Sequence, residues 1–116
     1  MIGTFEKNLA LNELYDLYAL LLNEKKRRVF EMYYQEDLSL FEIAQQTLTT
    51  RQGVRDLLNR TADELARYEQ ALALNSKRKQ LAGLEERLRL LAGSLPADTA
   101  RPLEELGEEM LSLFGL

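Results

Sequence analysis

The chain has no cysteine and no histidine among its 116 residues. Without cysteine it can form neither a disulfide framework nor a thiolate site. Without histidine it lacks the commonest protein ligand for metals and the usual general base. We therefore expect no metal site and no cofactor.

Long hydrophobic runs are also missing. The longest uncharged hydrophobic run covers residues 17–22 and is far too short to span a bilayer. No secretory signal is visible, and there is no glycine-rich phosphate loop or nucleophile–base set. The carboxylates are expected at solvent-facing helix positions. These features predict a cytoplasmic protein that is not an enzyme and does not insert into a membrane.

The residues that are present favour helices throughout. Hydrophobic residues make up 46% of the chain, there are only two prolines, and long stretches are rich in Ala, Leu, Glu, Lys and Arg. Pro102 suits the first turn of a final helix, after a linker from Gly93 to Arg101. An all-α fold without a sheet is predicted, with helices near residues 4–22, 24–34, 39–47, 50–73, 76–92 and 102–114.

Residues 23–68 are predicted to form a helix, a short loop, a short helix, a tight turn and a longer helix, and they contain a helix-turn-helix signature. Ser39 and Glu42 have the spacing of a capping box, and Leu38 and Ile43 flank it as a hydrophobic staple. A second, longer helix restarts at Thr49 or Thr50 after a tight turn. In this motif the second helix enters the DNA major groove.

The turn between these two helices has an unfavourable sequence. A helix-turn-helix turn usually offers Gly or Asn at the residue that adopts positive φ, whereas this chain has Thr47-Leu48-Thr49. A leucine in the left-handed region costs on the order of 1 kcal/mol. Either the turn shifts by one residue so that Leu48 points inward, or the helices meet at a less regular angle. Gly53, early in the second helix, costs roughly 1 kcal/mol relative to alanine.

Several polar side chains near one side of the second helix are suited to contacting base edges. Arginine pairs with guanine and glutamine with adenine. Asp56, Asp63 and Glu64 lie close by and would repel phosphate. The alternative is an ordinary solvated helix face. The candidate DNA-binding residues here are Thr50, Arg51, Gln52, Arg55 and Asn59.

Charge is distributed unevenly along the chain, which has a net charge of −4. Residues 24–31 carry +2, residues 76–95 carry +3, and residues 96–116 carry −4. The basic middle permits local contact with nucleic acid, although the acidic total disfavours it. The first cluster is either a phosphate-contacting edge, a basic rim for a protein or RNA partner, or a solvated face. Its members are Lys25, Lys26, Arg27 and Arg28.

The chain resembles a known family at several separated places in the same order. Residues 22–34 and 37–44 resemble sigma-factor region four. Residues 12–18, Tyr33-Tyr34 with residues 37–40, residues 51–54, residues 59–61 and Tyr68-Glu69 resemble the YlxM-like helix-turn-helix proteins. The resemblance spans residues 5–75. It implies a helix-turn-helix domain, winged-helix-like or similar to sigma region four, in residues 1–73, followed by additional C-terminal helices in residues 74–116.

The C-terminal third carries leucines at heptad-like spacing, interrupted by Lys77. The first helix also has a broad apolar stripe. Together they predict a homodimer whose interface comes from the first helix and residues 74–114; the alternative is a helix pair folded on the core. The candidate interface residues are Leu81, Leu84, Leu88 and Leu91.

Two functions follow from the motif and the resemblance. The first is a DNA-binding regulatory protein with the helix at residues 50–66 in the major groove. The resemblance also implies, through gene neighbourhood, a link to the signal recognition particle pathway. The second is therefore an interaction module that keeps the fold but acts on a signal recognition particle protein or RNA.

Overall fold

The computed structural model describes residues 9–115, and its described residues form α-helices without any strand. The all-α prediction is confirmed. Residues 4–8 of the predicted first helix lie outside the described part. Among the described helices, none is long and apolar enough to cross a membrane. The helices are α1 Leu9–Tyr18, continued by one 3₁₀ turn at Ala19–Leu21, α2 Glu24–Tyr34, α3 Leu40–Thr47, α4 Arg51–Leu72, α5 Leu74–Ala92 and α6 Ala97–Ser112.

The chain divides between Ala73 and Leu74 into two compact units. In the first unit α1, α2 and α3 all pack on α4. Apolar positions of α4 recur at three- and four-residue spacing, which places them on one side of the helix. The core that they join consists of Val29, Met32, Ile43, Ala44, Val54, Leu57 and Leu58.

The apolar stripe of α1 is used within this first unit. Leu11, Leu14, Tyr15 and Tyr18 are all buried. The ring of Tyr15 stacks on Phe30 with centroids 4.3 Å apart, so the helix is held by aromatic contact as well as by aliphatic burial. Most of the stripe that the sequence suggested for a second protomer is therefore covered by the core of the same chain, whereas Leu21 is 53% exposed.

Three tyrosine–glutamate hydrogen bonds join residues of this unit. Tyr18 donates to Glu69 at 2.7 Å, Tyr15 donates to Glu31, and Tyr68 donates to Glu64. Burial and the Glu31 acceptor raise the pKa of Tyr15 far above its usual value. The expectation that the carboxylates face solvent was wrong for these glutamates. Folding brings tyrosine hydroxyls next to them as hydrogen-bond donors, and the pattern of a single helix does not reveal such donors.

The second unit is a pair of helices, α5 and α6, joined by the short connection at residues 93–96. A connection of this length makes neighbouring helices antiparallel. They approach closely at Gly107, where an added Cβ would lie 3.2 Å from Glu85 Cγ and 3.3 Å from Leu88 Cδ2. Glu85 is buried in this contact and pairs with Arg89 at 2.8 Å.

The predicted start of the last helix was wrong. Helix α6 begins at Ala97, five residues before Pro102, and Pro96 stands at its N-cap position. The negative charge of Asp98 in the first turn interacts favourably with the positive end of the helix dipole. Pro102 lies inside the helix, where it removes one backbone hydrogen bond, and the packing of α6 on α5 outweighs that loss.

The turn between α3 and α4 begins with a leucine in the left-handed region of backbone conformation. Leu48 has φ 57° and ψ 42°, and its amide donates to the Ala44 carbonyl. Its side chain is 93% exposed, so it does not point inward. Of the two alternatives that the sequence left open, a one-residue shift that turns Leu48 inward is therefore not the one found. The left-handed conformation ends α3 at Thr47, and Leu48–Thr50 form the three-residue turn.

Replacing Leu48 should stabilise the protein. Leu48→Gly relieves the left-handed strain and loses almost no buried surface, while glycine costs more backbone entropy. A net gain of about 0.5–1 kcal/mol in the free energy of unfolding is expected. Urea denaturation measures it.

The matched control is Gln45→Gly, since Gln45 is exposed in the interior of α3. That change should cost about 1 kcal/mol. If both glycine variants lose stability alike, the strain at Leu48 is not there.

Candidate nucleic-acid interface

Local caps fix both helices of the motif. The Ser39 amide donates to Glu42 at 3.0 Å, and the Glu42 amide donates to the Ser39 hydroxyl at 3.1 Å, which confirms the capping box. These bonds lower the pKa of Glu42, because they favour its carboxylate form. Thr50 caps α4 by accepting from the Gly53 amide at 2.9 Å. The backbone of α4 therefore begins at a defined point directly after the turn.

Gly53 has a structural reason to be glycine. A Cβ added at this position would lie 3.2 Å from the Thr50 hydroxyl oxygen, which is the atom that caps the helix. A larger residue would press on the cap. The entropic cost of glycine in a helix is offset by an unobstructed helix start. Thr50, predicted to contact DNA, is exposed, but its hydroxyl oxygen also serves this structural role.

The first turns of α4 place one cationic edge next to α3. Arg51 and Arg55 are exposed, and the guanidinium carbon of Arg51 lies 5.8 Å from the Phe41 ring centroid. Phe41 is itself half-exposed and forms part of a groove between the two helix starts. The groove is lined by Ser39, Leu40, Phe41, Arg51, Gln52 and Arg55. Three of the predicted base-contacting residues are therefore brought together here.

The middle of the outward face of α4 is less basic than its edge. Gln52 donates to Asp56 at 2.9 Å, so its amide already has a partner on the next turn. Asp63 is exposed, and Asn59 is only partly exposed. Carboxylates at this position repel phosphate and restrict the helix to contacts that tolerate them.

A second cationic edge flanks α4 on its other side. Lys25 and Arg60 line a small pocket together with Thr49 and Gly53 at the turn. The sequence analysis did not select Arg60. The available signal was its spacing, since Arg60 lies seven residues, two helical turns, after Gly53.

The four cations of α2 do not form one surface. Lys25 lies near Arg60, whereas Lys26 forms an ion pair with Glu64 of α4. Arg27 and Arg28 line a separate pocket that also contains Glu24, Glu31 and Glu36. That all four residues contact phosphate stays a prediction, and packing of α2 on α4 brings Lys26 to a carboxylate.

Glu64 is the centre of this polar contact. One of its oxygens accepts from Lys26 and the other from the Tyr68 hydroxyl. Burial raises the pKa of Glu64, but the hydrogen bonds from Lys26 and Tyr68 outweigh it, and the net shift is downward. The same bond raises the pKa of Tyr68. The Tyr68 hydroxyl oxygen also lies 3.2 Å from the Leu21 carbonyl oxygen, so α4 is in polar contact with the end of the 3₁₀ turn.

The four candidate dimer leucines lie on α5 in two different environments. Leu81 and Leu88 are partly buried, and Leu88 packs against Gly107 of α6. Leu84 and Leu91 are 53% and 69% exposed. The sequence predicted one uniform seam, whereas the hairpin uses half of it internally.

Comparison with known proteins identifies the family of this fold. Residues 5–94 match the sequence pattern of the family described as "Putative helix-turn-helix protein, YlxM / p13 like". The chain belongs to this family. The match includes the capping box, the turn and α4, and it ends two residues after α5.

Relatives in this YlxM-like family extend the similarity over most of the chain. A UPF0122 protein of Desulforamulus reducens is 43% identical over 96 residues, 82% of each chain. One from Bacillus pumilus is 37% identical over 108 residues, 92% of this chain and 98% of its own. One from a Geobacillus species is 47% identical over 79 residues, 66% of this chain and 72% of its own.

The Glu64 contact gives the protein a defined acid sensitivity. Because its pKa is lowered on folding, ionised Glu64 stabilises the folded state above its ordinary pKa of about 4.5, and this stabilisation is lost as pH falls through the lower folded value. Glu64→Gln should cost about 1–2 kcal/mol at neutral pH, and its deficit should shrink in acid.

Urea denaturation between neutral pH and the acid range measures both effects. Asp63→Asn is the control, because Asp63 is the exposed carboxylate next to Glu64 in the chain. It should change stability little at any pH. A Glu64→Gln deficit that is constant with pH contradicts the assignment.

Proposed function

We propose that this YlxM-like protein is a DNA-binding regulatory protein of the cytoplasm, with the first half of α4 in the major groove. The observation that carries the proposal is the capped start of α4, where Arg51, Gln52 and Arg55 lie exposed beside the motif's turn. In helix-turn-helix proteins these early positions of the second helix contact base edges. Occupancy of a promoter or operator would then be the regulatory event.

The two cationic edges of α4 suggest a division of roles. Arg51 and Arg55 lie on the edge next to α3 and are the candidates for guanine contacts. Lys25 and Arg60 lie on the opposite edge, where a groove-bound helix meets a phosphate backbone.

We expect the affinity to be weak and its salt dependence to be shallow. The chain has a net charge of −4, Lys26 is neutralised by Glu64, and Asp56 lies among the candidate base contacts. Few phosphates are therefore neutralised, and affinity depends on phosphate contacts. Asp56→Asn should strengthen binding to all sequences.

A fluorescence anisotropy titration against genomic fragments at low and moderate salt tests the proposal. Arg55→Ala should lose roughly 1–3 kcal/mol on the preferred sequence and relax specificity there. Lys25→Ala should weaken binding to all sequences alike and lower the salt slope by about 1.

Arg67→Ala is the matched control for Arg55→Ala. It removes the same charge from an exposed position of the same helix, three turns further from the motif's turn. Equal, shallow binding to every fragment, with Arg55→Ala and Arg67→Ala behaving alike, would overturn base recognition by α4.

A second candidate function is an interaction module for a protein or RNA of the signal recognition particle pathway. The acidic middle of the outward face of α4, with Asp56 and Asp63 exposed, favours this alternative over DNA. Affinity purification from a cell lysate, with and without nuclease, separates the candidates. Capture of signal recognition particle components without a preferred DNA fragment supports this second function.

A further inference from the structure

The flank of α5 carries an apolar stripe that its own unit covers only in part. Leucines at residues 81, 84, 88 and 91 are spaced by three, four and three residues, which places them along one side of the helix. Leu88 packs on α6, whereas Leu84 and Leu91 are 53% and 69% exposed in the folded chain.

Helix α6, together with its C-cap residue Leu113, presents a matching stripe. Leu106 and Leu113 are 52% and 82% exposed, and Met110 is partly buried between them. The inward side of α6 is marked by Ala100 and Gly107, both buried. Leu106 directly precedes the inward Gly107, and Leu113 follows Leu106 by seven residues, or two helical turns. Both leucines therefore lie beside the inward side of α6.

Both stripes lie on the same side of the hairpin. Leu84 and Leu91 each precede an inward residue of α5, Glu85 and Ala92, by one position. Leu106 likewise precedes the inward Gly107 of α6 by one position. Moving one position toward the N-terminus rotates the side-chain direction by about 100° about the helix axis, in the same sense for both helices when each is viewed along its own chain direction. Because the helices are antiparallel and their inward sides face each other, equal rotations turn both stripes toward one face.

The other face of the hairpin is polar. Glu86 and Glu108, each one position after an inward residue, are exposed, and so is Arg101, which follows the buried Ala100. The hairpin is therefore amphipathic as a whole, with one continuous leucine face. Soluble monomeric proteins rarely expose contiguous apolar patches of more than a few hundred Å².

The leucine face has two outer edges, one along α5 and one along α6, which we call its rims. The two rims carry opposite charges at equivalent positions. Arg87 lies three residues after Leu84 and four before Leu91 on α5. Glu109 lies three residues after Leu106 and four before Leu113 on α6. Overall, α5 carries five cations and two carboxylates for +3, and α6 carries one cation and five carboxylates for −4.

We propose that the leucine face is covered by the same face of a second copy of this chain, forming a four-helix bundle. A two-fold axis parallel to the helices places α5 of one copy beside α6 of the other, so the basic rim meets the acidic rim twice. An axis perpendicular to the helices would place α5 beside α5 and bring like charges together. Charge complementarity therefore selects the second copy and its orientation. This inference does not rest on the proposed function.

Sedimentation equilibrium of the full chain across the micromolar range tests the apolar part. Leu84→Asp and Leu106→Asp should each weaken the dimer at least about a hundredfold, since each places two carboxylates in the seam. Leu90→Asp is the matched control, because Leu90 is 74% exposed on the same helix but away from the leucine face. Leu88→Asp is unsuitable, since Leu88 packs inside the hairpin itself.

Charge reversal tests the orientation and does not depend on apolar packing. Arg87→Glu and Glu109→Arg should each weaken the dimer roughly tenfold, and the double reversal should restore it. Arg101→Glu, on the polar face, should leave it unchanged. Circular dichroism verifies that each variant keeps its helix content.

Three results would overturn the proposal. A monomer mass at every concentration removes the dimer. A dimer that tolerates Leu84→Asp and Leu106→Asp as well as Leu90→Asp uses another surface. A double reversal that binds no better than the single ones rejects the pairing of α5 with α6.

Discussion

Burial of one side of α4 is the constraint on which the first unit depends. Val54, Leu58 and Leu65 point to the same side of this 22-residue helix and are buried against the other helices. Every other helix of the unit packs on it. Because the inner side of α4 is buried against these helices, the rotation of α4 about its own axis is set. The residues on its outer side are therefore held toward solvent. The candidate nucleic-acid interface is therefore presented by the helix on which the rest of the unit packs.

The same packing distributes the charges of the first unit. When α2 docks on α4, Lys26 reaches Glu64, which also accepts from Tyr68, and Lys25 is left beside Arg60. A cluster of four consecutive cations is thereby separated into a structural ion pair and an exposed cationic edge. The electrostatics of the interface consequently depend on helix packing more than on net charge, which explains how an acidic protein can present basic edges.

The second unit follows a different rule. Gly107 lets α5 and α6 approach closely, and the pair buries the carboxylate of Glu85 only because Arg89 lies one turn away to compensate it. Two helices, however, have too few positions between them to bury every leucine that they carry. The remaining leucines gather on one face of the hairpin and stay exposed, because this unit is too small to cover them.

The sequence by itself determined the helical class, the capping box at Ser39 and Glu42, and the bounds of α2, because these depend on residues within a few positions of one another. It could not place the start of α6, where packing on α5 tolerates Pro102 inside a helix. Nor could it foresee the exposed, left-handed Leu48 or the pairing of Lys26 with Glu64. Those features were decided by the tertiary structure, because they depend on contacts between residues that are far apart in the sequence. Packing between helices offsets the unfavourable backbone positions of Leu48 and Pro102, and it brings Lys26 to Glu64.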